Sequence, residues 1–135
     1  MRVRKTGRRI RRGVYVLEHA IVFPVMSFFL FGGFISGLGV FRYQQVSMLA
    51  REGARWASVH GPTYQMENTK SAPTSQDVYN NAVSPRMVGL DPTQLTCALT
   101  MTSNTATVTV TYGWVPEALF SPITFSSTST MPITY

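Results

Sequence analysis

The sequence is poor in cysteine, in acid and, over one long stretch, in charge of either sign. Cys97 is the only cysteine, so no disulfide can form within the chain, and an exported domain must hold together by packing alone. The two histidines, His19 and His60, are far apart. With one cysteine they make no recognisable ligand cluster, so no metal or other cofactor is expected. Six acidic residues face twelve basic ones, for a net charge of +6. Seven of those twelve lie before Gly13, at Arg2, Arg4, Lys5, Arg8, Arg9, Arg11 and Arg12. The charge therefore belongs to the first dozen residues, and the remainder is near neutral and rich in Ser and Thr.

The missing charge matters most between His19 and Phe41, where 23 residues contain no Asp, Glu, Lys or Arg. As a helix this run measures about 34 Å, against a hydrocarbon core of about 30 Å. Phe23, Phe28, Phe29, Leu30, Phe31, Phe34, Ile35 and Leu38 supply apolar surface. Arg42 and Tyr43 at one end and Tyr15 near the other suit the two interfaces. Pro24 removes one helix hydrogen bond, which membrane helices tolerate. A basic tail can mark nucleic-acid binding, but here it abuts a lipid-length run. The positive-inside rule then puts the N-terminus in the cytoplasm and the rest outside, with no role for nucleic acid. A cleaved secretory signal is the rival; its apolar core is usually about 7–15 residues and ends in an A-x-A site. This run is longer and has no such site. Gly33 and Gly37 form a G-x-x-x-G, a spacing that lets two helices approach closely in lipid.

The segment Arg11-Arg12-Gly13-Val14-Tyr15-Val16-Leu17-Glu18 places one carboxylate at the mouth of the apolar helix. A charge at that depth is costly and requires a partner or a purpose. A shallow pairing with Arg11 or Arg12 is one solution. The arrangement also resembles a class III (type IV pilin-like) signal, cut by a prepilin peptidase after a glycine, with glutamate fifth in the mature chain. The resemblance makes Gly13 the residue before the cut, Val14 the new N-terminus and Glu18 the fifth residue. Cutting there would remove the basic tail and keep the helix in the membrane. The Val14 amine, cationic near neutral pH, could then pair with Glu18 of its own or a neighbouring subunit. The run from Gly13 to Pro24, then Ala50-Arg51-Glu52-Gly53-Ala54-Arg55-Trp56-Ala57, Val108 to Tyr112 and the closing Ser/Thr-rich strand together resemble the TadE-like family, pseudopilins of the tight-adherence (Flp) pilus machinery. His19 stands where such proteins often carry an aromatic residue. The resemblance implies a bacterial inner-membrane protein. Its implied partners are a prepilin peptidase, a major pilin, other pseudopilins and an inner-membrane platform.

Residues 41 to about 60 lack proline and should continue the helix out of the membrane. Val46, Ala50, Gly53, Ala54 and Ala57 form a small-residue face at helical spacing. Arg51 and Arg55, an i, i+4 pair of like charge, lie beside Glu52 and Trp56. These four are either an ordinary packed and charged face or a contact surface for a neighbouring subunit. Gly61-Pro62 ends the helix, and residues 63–74 read as a polar loop. Thr74-Ser75-Gln76-Asp77 starts a short helix carrying Val78, Ala82 and Val83, which should end before Pro85 or near Gly89. The period then changes to two. Leu95, Cys97, Leu99 and Met101 alternate with polar residues. After a turn near Ser103-Asn104, so do Val108, Val110 and Tyr112, and Ile123, Phe125, Met131 and Ile133 suggest a third strand. Pro132 argues that the end of that strand is an edge or irregular, and Cys97 reads as a small core residue. The helix around Ala50 to Ala57 is the natural cover for the sheet.

The expected fold is therefore α+β: a long N-terminal transmembrane helix continuing into a small head with a short helix and an antiparallel three-stranded sheet, the general plan of pilin-like proteins. The chain divides into a basic cytoplasmic leader (1–13), a transmembrane helix (14–42) and an extracytoplasmic head (43–135). No nucleophile-and-base motif or phosphate-cradling loop is visible, so no enzymatic activity is expected. Two functions remain: a pilin-like subunit in assembly of a Tad/Flp-type pilus or related secretion apparatus, or an unprocessed single-pass envelope protein presenting a small binding module.

Overall fold

The computed structural model describes residues 8–116 and 121–134, with side chains from Gly13 onward. The basic side chains before Gly13, and with them a pairing of Arg11 or Arg12 with Glu18, lie outside the described residues. Contacts within the chain divide it into two units, Met1–Leu38 and Gly39–Tyr135. The compact head thus begins a few residues inside the apolar run.

Helix α1 covers Arg8–Val59 and passes through Pro24. Its stretch Gly13–Val59 contains the one helix, among the described residues, long and apolar enough to cross a membrane.

In the second unit, residues 39–59 of α1 lie on a three-stranded antiparallel sheet of order β1-β2-β3, formed by β1 (Leu95–Met101), β2 (Thr105–Trp114) and β3 (Ile123–Pro132). The register is unbroken, from Leu95↔Tyr112 to Met101↔Ala106 and from Thr105↔Pro132 to Trp114↔Ile123. Alternation alone decides the inner face. Ala106, Val108, Val110, Tyr112 and Trp114 are buried there, against Val46, Leu49, Ala50, Ala54 and Ala57 of α1. Gly53 marks the closest approach. A Cβ at that position would sit 3.0 Å from Val108 Cγ1 and 3.1 Å from Val78 Cγ1. The small-residue face is thus what lets helix and sheet meet.

The outer face of the sheet is a hydroxyl ladder, with Thr107–Thr130, Thr109–Thr128 and Thr111–Ser126 paired across strands at 3.0, 2.9 and 3.3 Å. Such pairs support a solvated face without burying apolar surface.

The connection from α1 to the sheet departs from expectation in one place. Residues 63–74 are not all loop, because α2 (Pro62–Asn68) forms with Pro62 in its first turn, where a missing N–H is harmless. Thr69 ends α2 in the left-handed region at φ 54°. The expected helix start is present. Thr74 and Asp77 form a capping box opening α3 (Ser75–Val78). The chain then widens into a π turn, Tyr79–Val83, and tightens into a 3-10 turn, Ser84–Arg86, at Pro85. Val78, Ala82 and Val83 are fully buried, so this segment closes the core beside α1.

Candidate functional site

Residues 13–38 expose an apolar surface that nothing in their own unit covers. Val14, Leu17, Phe23, Phe28, Phe31 and Phe34 are each 60–74% exposed. The polar groups here turn inward on the backbone. His19 Nδ1 donates to the Tyr15 carbonyl at 2.8 Å, and Ser36 Oγ donates to the Gly32 carbonyl at 2.8 Å. A hydroxyl bonded to the carbonyl four residues back is a solution suited to an apolar solvent. Gly33 and Gly37 have open space where a Cβ would stand, so the G-x-x-x-G face is vacant within the chain. Gly13 is equally open, and Val14 and Glu18 are exposed. Among the described residues Glu18 has no ion-pair partner.

In the second unit the sequence-picked cluster splits by direction. Glu52 is bound within the chain, 3.7 Å from Arg86 Nη2 across a partly exposed surface, where such a pair contributes little. Trp56 is also engaged: its ring stacks on His60 with centroids 3.9 Å apart and an 18° interplanar angle. Arg51 and Arg55 are exposed on the opposite side of α1 from the sheet and have no ion-pair partner among the described residues. The structure therefore leaves two of the four free to meet another molecule.

Arg42 and Tyr43, expected at a lipid interface, both make contacts with the head. Arg42 Nη1 donates to Tyr112 Oη at 2.8 Å and to the Gly89 carbonyl at 3.4 Å. Its guanidinium lies 5.8 Å from the Tyr112 ring centre and 5.3 Å from that of Trp114, close enough for cation–π attraction to both. Tyr43 meets Phe125 edge-on at 6.2 Å, and Phe125 stacks against Trp114 at 6.0 Å. One turn earlier, a Cβ on Gly39 would come 3.2 Å from Trp114. Gly39, Arg42 and Tyr43 together fasten the first turns of the head's helix to β2 and β3. Sequence reasoning missed this latch because its partners are about 70 residues away.

Cys97 is half-buried on the inner face of β1. Burial pushes its thiol pKa up from the ordinary value, which disfavours the reactive thiolate. Asp77 and Asp91 sit below the usual carboxylate range. Asp77 accepts from the Thr74 hydroxyl and backbone, and Asp91 from the Thr93 backbone and hydroxyl. Both are turn and cap geometry. Among the described residues no group of three or more His, Cys, Asp or Glu side chains could hold a metal ion.

No curated protein and no solved structure matches the chain. Residues 13–55, from the glycine at the foot of the apolar helix to the second exposed arginine, match the family model described as TadE-like protein.

Proposed function

We propose that this chain is a pilin-like assembly subunit of a Tad/Flp-type pilus or a related secretion apparatus. The observation that carries the reading is the stretch from Gly13 to Leu38: a charge-poor helix with its apolar surface uncovered, starting at the first residue of the TadE-like match. Such a surface is unstable in water and requires lipid or other helices around it. A subunit stored in a bilayer and later packed among its neighbours needs both environments in turn.

On this reading the basic leader stays in the cytoplasm, the helix spans the bacterial inner membrane and the head lies outside. A prepilin peptidase cuts between Gly13 and Val14. The freed Val14 amine and Glu18 offset each other's charge across adjacent subunits and set their axial register. Gly33 and Gly37 supply the close helix contact, and Arg51 and Arg55 meet a neighbouring head. The partners are the peptidase, a major pilin, other pseudopilins and an inner-membrane platform. The role is structural rather than enzymatic.

The test is the N-terminus of the protein recovered from membranes of its native host, read by intact-mass spectrometry. The expected species begins at Val14 and disappears when Gly13 is replaced by leucine. Recovery of the wild-type chain with its basic leader intact would sink the proposal in favour of a permanently anchored envelope protein.

A further inference from the structure

At the end of the head farthest from Gly39, the last turn of α1, helix α2 and the start of α3 enclose a groove of about 520 Å³. That volume falls within the range of small-ligand sites. One wall is a stair of rings. Trp56 stacks on His60, and His60 meets the Tyr64 ring at 4.4 Å and 63°. Lys70 Nζ lies 5.5 Å from the Tyr64 ring centre and donates to its hydroxyl at 3.3 Å. The left-handed turn at Thr69 makes this possible, because it folds the chain back so that Lys70 N–H donates to the Gln65 carbonyl at 3.1 Å. Asp77 and Asn81 also line the groove.

The hydrogen-bonding capacity left on these residues is mixed. His60 Nδ1 donates to the Trp56 carbonyl at 2.7 Å, so in the neutral ring Nε2 remains an acceptor. Asp77 uses Oδ2 for both bonds from Thr74, which leaves Oδ1. Asn81 donates its amide N–H to the Asp77 carbonyl, which leaves its amide oxygen. Lys70 uses one of its three donors. One ammonium and one carboxylate cancel, so the lining favours neither an anion nor a cation. Ring surfaces, interleaved donors and acceptors and zero net charge are together the recognition chemistry of a neutral sugar. Its C–H faces lie on aromatic rings, and each of its hydroxyls both donates and accepts. We infer that this groove, lined by Trp56, His60, Tyr64, Lys70, Asp77 and Asn81, binds a neutral hexopyranose, as a free sugar or as the end residue of a surface glycan. The inference goes beyond the assembly role and stands whether or not the chain is cut after Gly13.

The test uses the full chain in lipid nanodiscs, which avoids sugar-based detergents. Methyl glycosides of glucose, galactose, mannose and N-acetylglucosamine are titrated, with saturation-transfer NMR and Trp56 fluorescence as readouts. Saturable binding of at least one is expected, in the millimolar range. Asn81→Ala and Lys70→Met should each weaken it about five- to tenfold, one lost hydrogen bond apiece, with the circular dichroism unchanged. Trp56→Phe keeps a ring and should retain binding while removing the fluorescence response. Absence of saturation transfer from all four sugars would overturn the inference. So would binding indifferent to both Asn81→Ala and Lys70→Met, or a groove that takes inorganic phosphate in preference to every sugar.

Discussion

Replacing Gly53 by alanine sets two opposing effects against each other, and the geometry says which prevails. In an exposed helix the change would stabilise by about 1 kcal/mol, because glycine loses the most backbone entropy on folding. Here the new methyl enters a pinch, 3.0 Å from Val108 Cγ1 on one side and 3.1 Å from Val78 Cγ1 on the other. Carbon atoms settle at about 3.5–4.0 Å, so each neighbour must retreat by roughly half an ångström. Neither has room. Val108 and Val78 are both fully buried, one on the central strand and one on α3. Overpacking of this kind costs about 1–3 kcal/mol, so the net effect is a loss of up to about 2 kcal/mol. Gly53→Val should lose more, because its extra methyls meet the same walls. The assay is urea unfolding of the full chain in detergent, followed by near-ultraviolet circular dichroism and the emission of buried Trp114. Val108→Ala combined with Gly53→Ala supplies the cross-check. Val108→Ala alone leaves a cavity that destabilises, and the added methyl should then recover part of the loss. That gives a favourable coupling of about 1 kcal/mol in the double-mutant cycle. A Gly53→Ala head more stable than the parent would refute the claim that the helix sits on the sheet at this point.

Other perturbations address the rest of the molecule. Arg42→Lys should weaken the head nearly as much as Arg42→Ala, because an ammonium reproduces neither the planar donor geometry nor the stacking over Tyr112 and Trp114; thermal melts of both variants decide it. Burial raises the Cys97 pKa in the folded state above its unfolded value. Its contribution to stability is therefore fully present below about pH 9 and is lost as pH rises further; iodoacetamide should label the folded thiol slowly at pH 8 and rapidly after unfolding. Asp77 is shifted the other way, so its contribution is present at neutral pH and fades as pH falls through its depressed pKa. Thr74→Ala should destabilise the head and reduce that acid-limb dependence, leaving the part due to the Thr74 backbone N–H, as measured by melts between pH 2 and 6. On the proposed assembly role, Glu18→Gln should leave membrane insertion intact and reduce cross-linking to neighbouring subunits by about tenfold or more, as scored in native membranes.

Where the sequence could be read and where it could not follows from the range of the interactions. The three strands were visible because alternation is a property of neighbours. Leu95 to Met101 and Val108 to Tyr112 declare their buried face within seven residues. The packing face of α1 was visible for the same reason at period 3.6, and the capping box at Thr74 and Asp77 needs only four residues. Helix α2 was missed because its seven residues bury nothing, so they carry no apolar period, and Pro62 read as a stop also starts the next helix. Arg42 is the instructive case. A basic residue closing an apolar run meets every local criterion for a headgroup anchor, yet its guanidinium is held by Tyr112, Trp114 and Gly89. No local pattern encodes a partner 70 residues away. The consequence for the membrane segment is quantitative. With Gly39 and Arg42 both engaged by the head, the apolar helix free for lipid ends near Leu38, and from Gly13 it is still about 39 Å long. That is enough to cross the bilayer, and it shifts the span toward the N-terminus. On the proposed reading Glu18 then lies nearer the bilayer, where an unpaired carboxylate costs more the deeper it sits.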